Sequence, residues 1–81
     1  MPVIEMKDLI ATIAKALVDK PEEVITTEIK GQQASVIELR VAKEDVGKVI
    51  GKRGHTAQAL RNILMSASTK LKMRCILEIL D

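Results

Sequence analysis

The chain contains no Phe, Tyr or Trp. A core without these rings has to be filled by Ile, Leu, Val, Met and Ala, and no Phe, Tyr or Trp face is there to stack a flat ligand. Cys75 stands alone, which excludes an intramolecular disulfide and gives no sign of an oxidising compartment. One His and one Cys are too few to assemble a metal centre, so no cofactor or metal is expected. No run approaches the roughly 20 apolar residues of a membrane helix. The first apolar stretch is interrupted by Glu5, Lys7 and Asp8, unlike a signal peptide. These absences point to a cytoplasmic protein with no membrane association. Charge of one sign is also scarce: 13 cations against 11 acids leave a net charge of +2, too little to argue for a nucleic-acid partner by itself.

What is present is a chain of 81 residues, 47 % apolar, enough for one domain spanning 1–81 and no more. Met6, Leu9, Ile10, Ile13, Ala14 and Leu17 recur at three- and four-residue steps and predict an amphipathic helix, ended by Asp19-Lys20-Pro21. Two alternating runs follow, Val24 to Lys30 and Ser35 to Val41, separated by the turn Lys30-Gly31-Gln32-Gln33. They predict an antiparallel hairpin, with Ile25, Thr27 and Ile29 sharing one side of the first strand and Ile37, Leu39 and Val41 facing inward on the second. Lys43 to Ile50 reads as a short helix, acidic at its start and weakened by Gly47. Ala57, Leu60, Ile63, Leu64, Ala67 and Leu71 mark a longer helix, and Arg74 to Leu80 a strand with apolar residues on both sides. The fold class is therefore α+β, in the order α-β-β-α-α-β. A helical crossover joins the last two strands, which suits a parallel pair and gives a three-stranded mixed sheet with three helices on one face.

The charges are unevenly placed. Five cations and the only His lie between Lys43 and Arg61, against Glu44 and Asp45 alone, while acids gather at Glu22-Glu23 and Asp81. At the centre of the basic stretch is Gly51-Lys52-Arg53-Gly54, between the two predicted helices. Glycine permits positive φ and close approach of another backbone, and the start of the second helix turns unpaired N–H groups towards the same loop. With Lys52 and Arg53 inside it, the loop suits an anionic backbone such as a phosphodiester. The plainer reading is a helix–helix turn carrying solvated cations.

Other glycine-rich phosphate loops fit less well. A Walker A loop needs four residues between its glycines and then Lys-Ser/Thr; Gly47 and Gly51 are three apart, and Arg53 follows Lys52. The dinucleotide fingerprint would need glycine at Val49 and a strand before the loop. The helix, Gly-x-x-Gly, helix unit over Val46 to Leu64 instead resembles a KH domain, and the element order that of its type II form. As one such domain with an N-terminal helix, the chain resembles, over essentially its whole length, the KhpA family of small bacterial RNA-binding proteins.

The resemblance implies that single-stranded RNA is gripped at Gly51, Lys52, Arg53 and Gly54, with apolar support from Val46, Val49 and Ile50. Lys48 and His55 are further candidates for RNA contact. Arg40 is a weaker candidate, from the neighbouring strand, and Arg61 reads as a solvated helix charge. Without aromatic rings, base stacking of about 1–3 kcal/mol per base is missing, so binding should be weak, salt-sensitive and poorly selective. The resemblance further implies an RNA chaperone or post-transcriptional regulator that forms a homodimer or pairs with a larger KH-containing protein of the Jag/EloR kind, connected with cell elongation, cell shape and cell-wall organisation. Two other readings stay open: a dimerisation module with a vestigial groove, suggested by apolar residues such as Met65, Ile76 and Leu80, and a small ribosome-associated factor. No catalytic constellation supports an enzyme, because His55 lacks a nucleophile and Cys75 falls on the core-facing side of a strand.

Overall fold

A computed structural model describes residues 6–71 and 74–80, with the side chains of 68–71 excepted. Glu5 and Asp81, and the Leu71 side chain in the predicted apolar stripe, lie outside the described residues. The elements are α1 (Met6–Leu17), β1 (Ile25–Lys30), β2 (Ala34–Arg40), α2 (Val46–Ile50), α3 (His55–Leu71) and β3 (Arg74–Leu80). Their order is the expected α-β-β-α-α-β.

β2 is the central strand, antiparallel to β1 and parallel to β3. The hairpin turn is closed by the Gly31 amide donating to the Ala34 carbonyl at 2.8 Å. Side chains alternate across a strand, so one face of β2 carries Ser35, Ile37 and Leu39, all buried. Against that face pack Ile10 and Ala14 of α1, Val49 of α2, and Leu60 and Leu64 of α3, with Leu77 of β3 alongside. All three helices thus cover one side of the sheet. Fully burying aliphatic side chains of this size stabilises by about 1.5–3 kcal/mol each, the main favourable term in a core without rings.

Two local expectations are revised. Ile25, Thr27 and Ile29 do share a side of β1, but it is the side away from the helices; Ile25 is 56 % and Ile29 54 % exposed. The residues that turn inward on β1 are Thr26 and Glu28, opposite Leu39 and Ile37. Alternation reveals the period of a strand and not which phase is covered. The segment from Lys43 to Ile50 is also not one helix. It divides into a 3-10 turn, Lys43–Asp45, and the five-residue α2. So short a helix cannot hold itself in water and depends on Val46 and Val49 packing against the core.

Candidate nucleic-acid interface

The loop between α2 and α3 is a tight hinge. The Gly51 amide still donates to Gly47 of α2 at 2.9 Å, and the Gly54 amide closes the turn onto the Gly51 carbonyl at 3.0 Å. The His55 amide donates to Lys52, leaving the amides of Lys52 and Arg53 outside the bonds that close the turn. Three residues have positive φ: Gly51 at 78°, Arg53 at 57° and Gly54 at 76°. For Arg53 this left-handed conformation costs roughly 1–2 kcal/mol, and such cost at one exposed residue is often a mark of a working loop.

The two glycines are needed for different reasons. A Cβ on Gly51 would overlap the Thr56 side chain and come within 2.8 Å of the Thr56 amide nitrogen. Gly51 is thus fixed by a close approach as well as by φ. A Cβ on Gly54 would meet nothing within 4 Å, so only its φ favours glycine. The side chains of Lys52 and Arg53 are exposed, and no described acid lies within ion-pairing distance of either. His55, also exposed, is the first residue of α3.

The remaining expected site residues divide. Ile50, at the end of α2, is 39 % exposed beside the hinge. Val46 is half-buried against the core. Val49 is wholly buried, so its side chain holds α2 down from below instead of meeting a base. Lys48 turns the other way: its ammonium pairs with Asp19 and lies 3.6 Å from Asp45 Oδ1. The two acids raise its pKa despite some desolvation; the hydrogen bond to Asp19 is the largest cause. Arg40 is exposed on β2, on the sheet side away from the helices, which removes it from any groove beside α3.

Sequence reasoning missed Asp45, read there only as an acid at a helix start. Its carboxylate is buried and accepts from the backbone amides of Lys20 at 3.0 Å and Asp19 at 3.3 Å. Burial pulls its pKa up, but those two amides and the Lys48 ammonium outweigh it and hold the carboxyl below the ordinary Asp range. The link therefore ties the end of α1 to the start of α2, which carries the hinge. No pattern in the local sequence signals a contact across 25 residues.

A second wall was also missed. Arg61 and Met65 of α3 face Arg74, Cys75, Ile76 and Leu77 of β3 across a groove of about 220 Å³. Arg61 begins it, two turns of helix beyond Gly54, or about 10 Å along the axis. The groove thus has cations at Arg61 and Arg74 and an apolar lining between them. A larger hollow of about 460 Å³ on the other exposed flank of α3 is lined by Asn62, Ile63, Ser66 and Ala67, which bring no charge to a phosphate. Burial, followed by the nearby Glu28 charge, pushes the Cys75 thiol pKa up and keeps the sulfur protonated at neutral pH.

Comparison with known proteins bears on what this arrangement serves. Residues 7–79 match the family model described as KhpA/KhpB, KH domain. Among curated proteins, the chain is 55 % identical over 75 residues to a protein of Caldanaerobacter subterraneus named RNA-binding protein KhpA, covering 93 % of this chain and all of that one. Proteins of the same name from Treponema pallidum and Aquifex aeolicus are 51 % and 49 % identical, over 93 % and 94 % of this chain and 94 % and 96 % of their own. No solved structure matches.

Proposed function

The chain belongs to the KhpA/KhpB KH-domain family, and from that premise we propose that it binds single-stranded RNA through the Gly51–Gly54 hinge and the groove between α3 and β3. The observation that carries the proposal is the hinge itself, with positive φ at Gly51, Arg53 and Gly54 and the two cations Lys52 and Arg53 exposed without a described ion-pair partner. Left-handed backbone at Gly51 and Gly54 lets a sugar-phosphate strand lie against the chain, while Lys52 and Arg53 neutralise phosphates. Bases would then turn towards Ile50 and the apolar lining between Arg61 and Arg74. Ile, Met and Leu offer contact but no π-face, so base preference is weak and salt dependence is a large share of affinity.

Weak single-site binding gains most from a second domain on the same strand. Self-association, or pairing with a larger KH-containing protein of the Jag/EloR kind, fits that need. Within this reading the protein works in the cytoplasm as an RNA chaperone or post-transcriptional regulator connected with cell elongation and envelope homeostasis; that part rests on family resemblance alone. Binding, not catalysis, is the role proposed. His55 opens α3, whereas Cys75 lies beside Arg61 and Met65, two to three helical turns further on, so no nucleophile–base pair is assembled.

The test is a filter-binding titration with a single-stranded RNA oligonucleotide at several salt concentrations. Wild-type affinity should fall with a log–log slope of about −0.7 for each phosphate neutralised. Lys52→Asp with Arg53→Asp should weaken binding by at least about tenfold and flatten that slope by roughly 1.4. Equal affinity and slope for both proteins would refute the proposal. Tighter binding to folded ribosomal RNA than to the single strand would move the function to the ribosome.

A further inference from the structure

Gly51 is held on three sides. Its amide makes the last bond of α2, donating to Gly47 at 2.9 Å, and its carbonyl takes the Gly54 amide that closes the turn at 3.0 Å. Its α-carbon faces the first turn of α3. At φ 78° and ψ 171°, the direction a side chain would take runs into Thr56: a Cβ there would overlap Oγ1 and lie 2.6 Å from the Thr56 Cβ and 2.8 Å from its amide nitrogen. A Cβ on Gly47 or Gly54 would meet nothing within 4 Å. Of these three glycines only Gly51 is clamped, and the three nearest atoms all belong to one residue.

We infer that Thr56 is a positioning residue of the hinge: its side chain, seated on the Gly51 α-carbon, sets the angle at which Lys52 and Arg53 leave α2, and so sets RNA affinity without touching RNA. Glycine by itself leaves the backbone wide freedom. With Gly51, Arg53 and Gly54 all at positive φ, an unclamped hinge would wander among many conformations, and ordering it on binding would cost affinity. Thr suits the task because a β-branched side chain has few χ1 rotamers in a helix. Local hydrogen bonding does not account for the residue: among the described residues the Thr56 hydroxyl makes no hydrogen bond. Helix propensity does not either, since Thr is a poorer helix former than Ala. What remains is its half-buried seat against Gly51.

Loosening the clamp differs from removing a cation. Thr56→Ala leaves Lys52 and Arg53 in place to neutralise the same phosphates, so the salt dependence is kept and only the cost of ordering the hinge is added. Loss of a phosphate contact would instead flatten the slope by about 0.7. The backbone part of the contact, from the Thr56 amide nitrogen, persists in every variant, which keeps the effect moderate. The inference rests on the proposed RNA grip by the hinge, but the clamp has a signature of its own. The Gly54 amide, bonded to Gly51, should exchange its proton with water faster once Gly51 is loose.

The test joins filter binding at several salt concentrations to amide exchange by NMR, on the full chain as wild type, Thr56→Ala and Thr56→Val. Thr56→Ala should bind the single-stranded oligonucleotide about three- to tenfold more weakly at an unchanged slope, and exchange at Gly54 should quicken by a similar factor. Thr56→Val keeps the branched shape without the hydroxyl and should stay within about twofold of wild type in both. A loss of affinity shared by the two variants with Gly54 exchange unchanged would mean that the hydroxyl itself meets RNA, and overturns the positioning role. Wild-type affinity and exchange in Thr56→Ala overturn it as well. If Lys52→Asp with Arg53→Asp binds as the wild type does, the RNA grip fails, and Gly54 exchange then upholds or refutes the clamp by itself. Ala favours a helix more than Thr does, so α3 should stay folded in Thr56→Ala, which circular dichroism verifies.

Discussion

The two ends of α2 are built in opposite ways. At its start, Asp45 is buried and bonded to two backbone amides of the α1 exit, and Lys48 is committed to Asp19. At its end, 7 Å or so further along by helix rise, three residues have positive φ and two cations are exposed without partners. The same charged residue types therefore serve anchoring at one end and display at the other. A short helix cannot be both firmly placed and freely solvated along its whole length, so the rigid end supplies the placement while the strained end stays exposed.

The largest effect should come from attacking the strained end where it is also packed. Gly51→Ala adds a left-handed penalty of about 1–2 kcal/mol and an overlap with Thr56 of about 1–3 kcal/mol. Thermal unfolding should show a fall in Tm of about 10–20 °C. Gly54→Ala, with open space around its Cβ, should lose only the first part. Similar losses for the two variants would erase the distinction between them.

Next comes the anchored end. Asp45→Asn replaces an acceptor of two buried amide hydrogens with a group that offers one oxygen and an NH2, and should lower Tm by about 5–10 °C. The folded-state pKa of Asp45 is depressed, so its contribution is complete above the unfolded value near pH 4 and is lost as pH falls through the lower folded value. The stability difference between wild type and Asp45→Asn should therefore close progressively below about pH 4. A difference that persists unchanged into that range would mean the carboxylate is not the anchor.

The smallest effect is the sharpest contrast. Lys48→Met should leave RNA affinity within about twofold, because that ammonium is directed to Asp19 and Asp45. Lys52→Met, only four residues on, should cost one phosphate contact and reduce the salt slope by about 0.7. Equal losses from the two would show that Lys48 leaves its acids when RNA arrives.

Much of this could be read before the fold was known, because the relevant signals are local. The periodicity from Met6 to Leu17 and from Ala57 to Ala67 marks helices, and Gly31 between alternating runs marks a hairpin. The hinge was legible as a turn because Gly51 and Gly54 supply the positive φ that a tight connection between two helices needs. The ion pairs of Lys48 were not legible, since a lysine beside a basic loop looks like part of it until Asp19 is brought alongside. Val49 was misjudged because an apolar residue near a site reads equally as floor or as core. The β3 wall of the groove was invisible, as Cys75, Ile76 and Leu77 become neighbours of Arg61 only when the strand returns along α3.

By itself the amino-acid order determined the elements, their succession and the hinge, since each depends on φ/ψ preference and periodicity within a dozen residues. Tertiary structure alone decided which phase of β1 is covered, which lysine remains free and how the groove is closed. Those outcomes turn on contacts between residues 20 to 40 apart in sequence, whose energies exist only once the chain has folded back on itself.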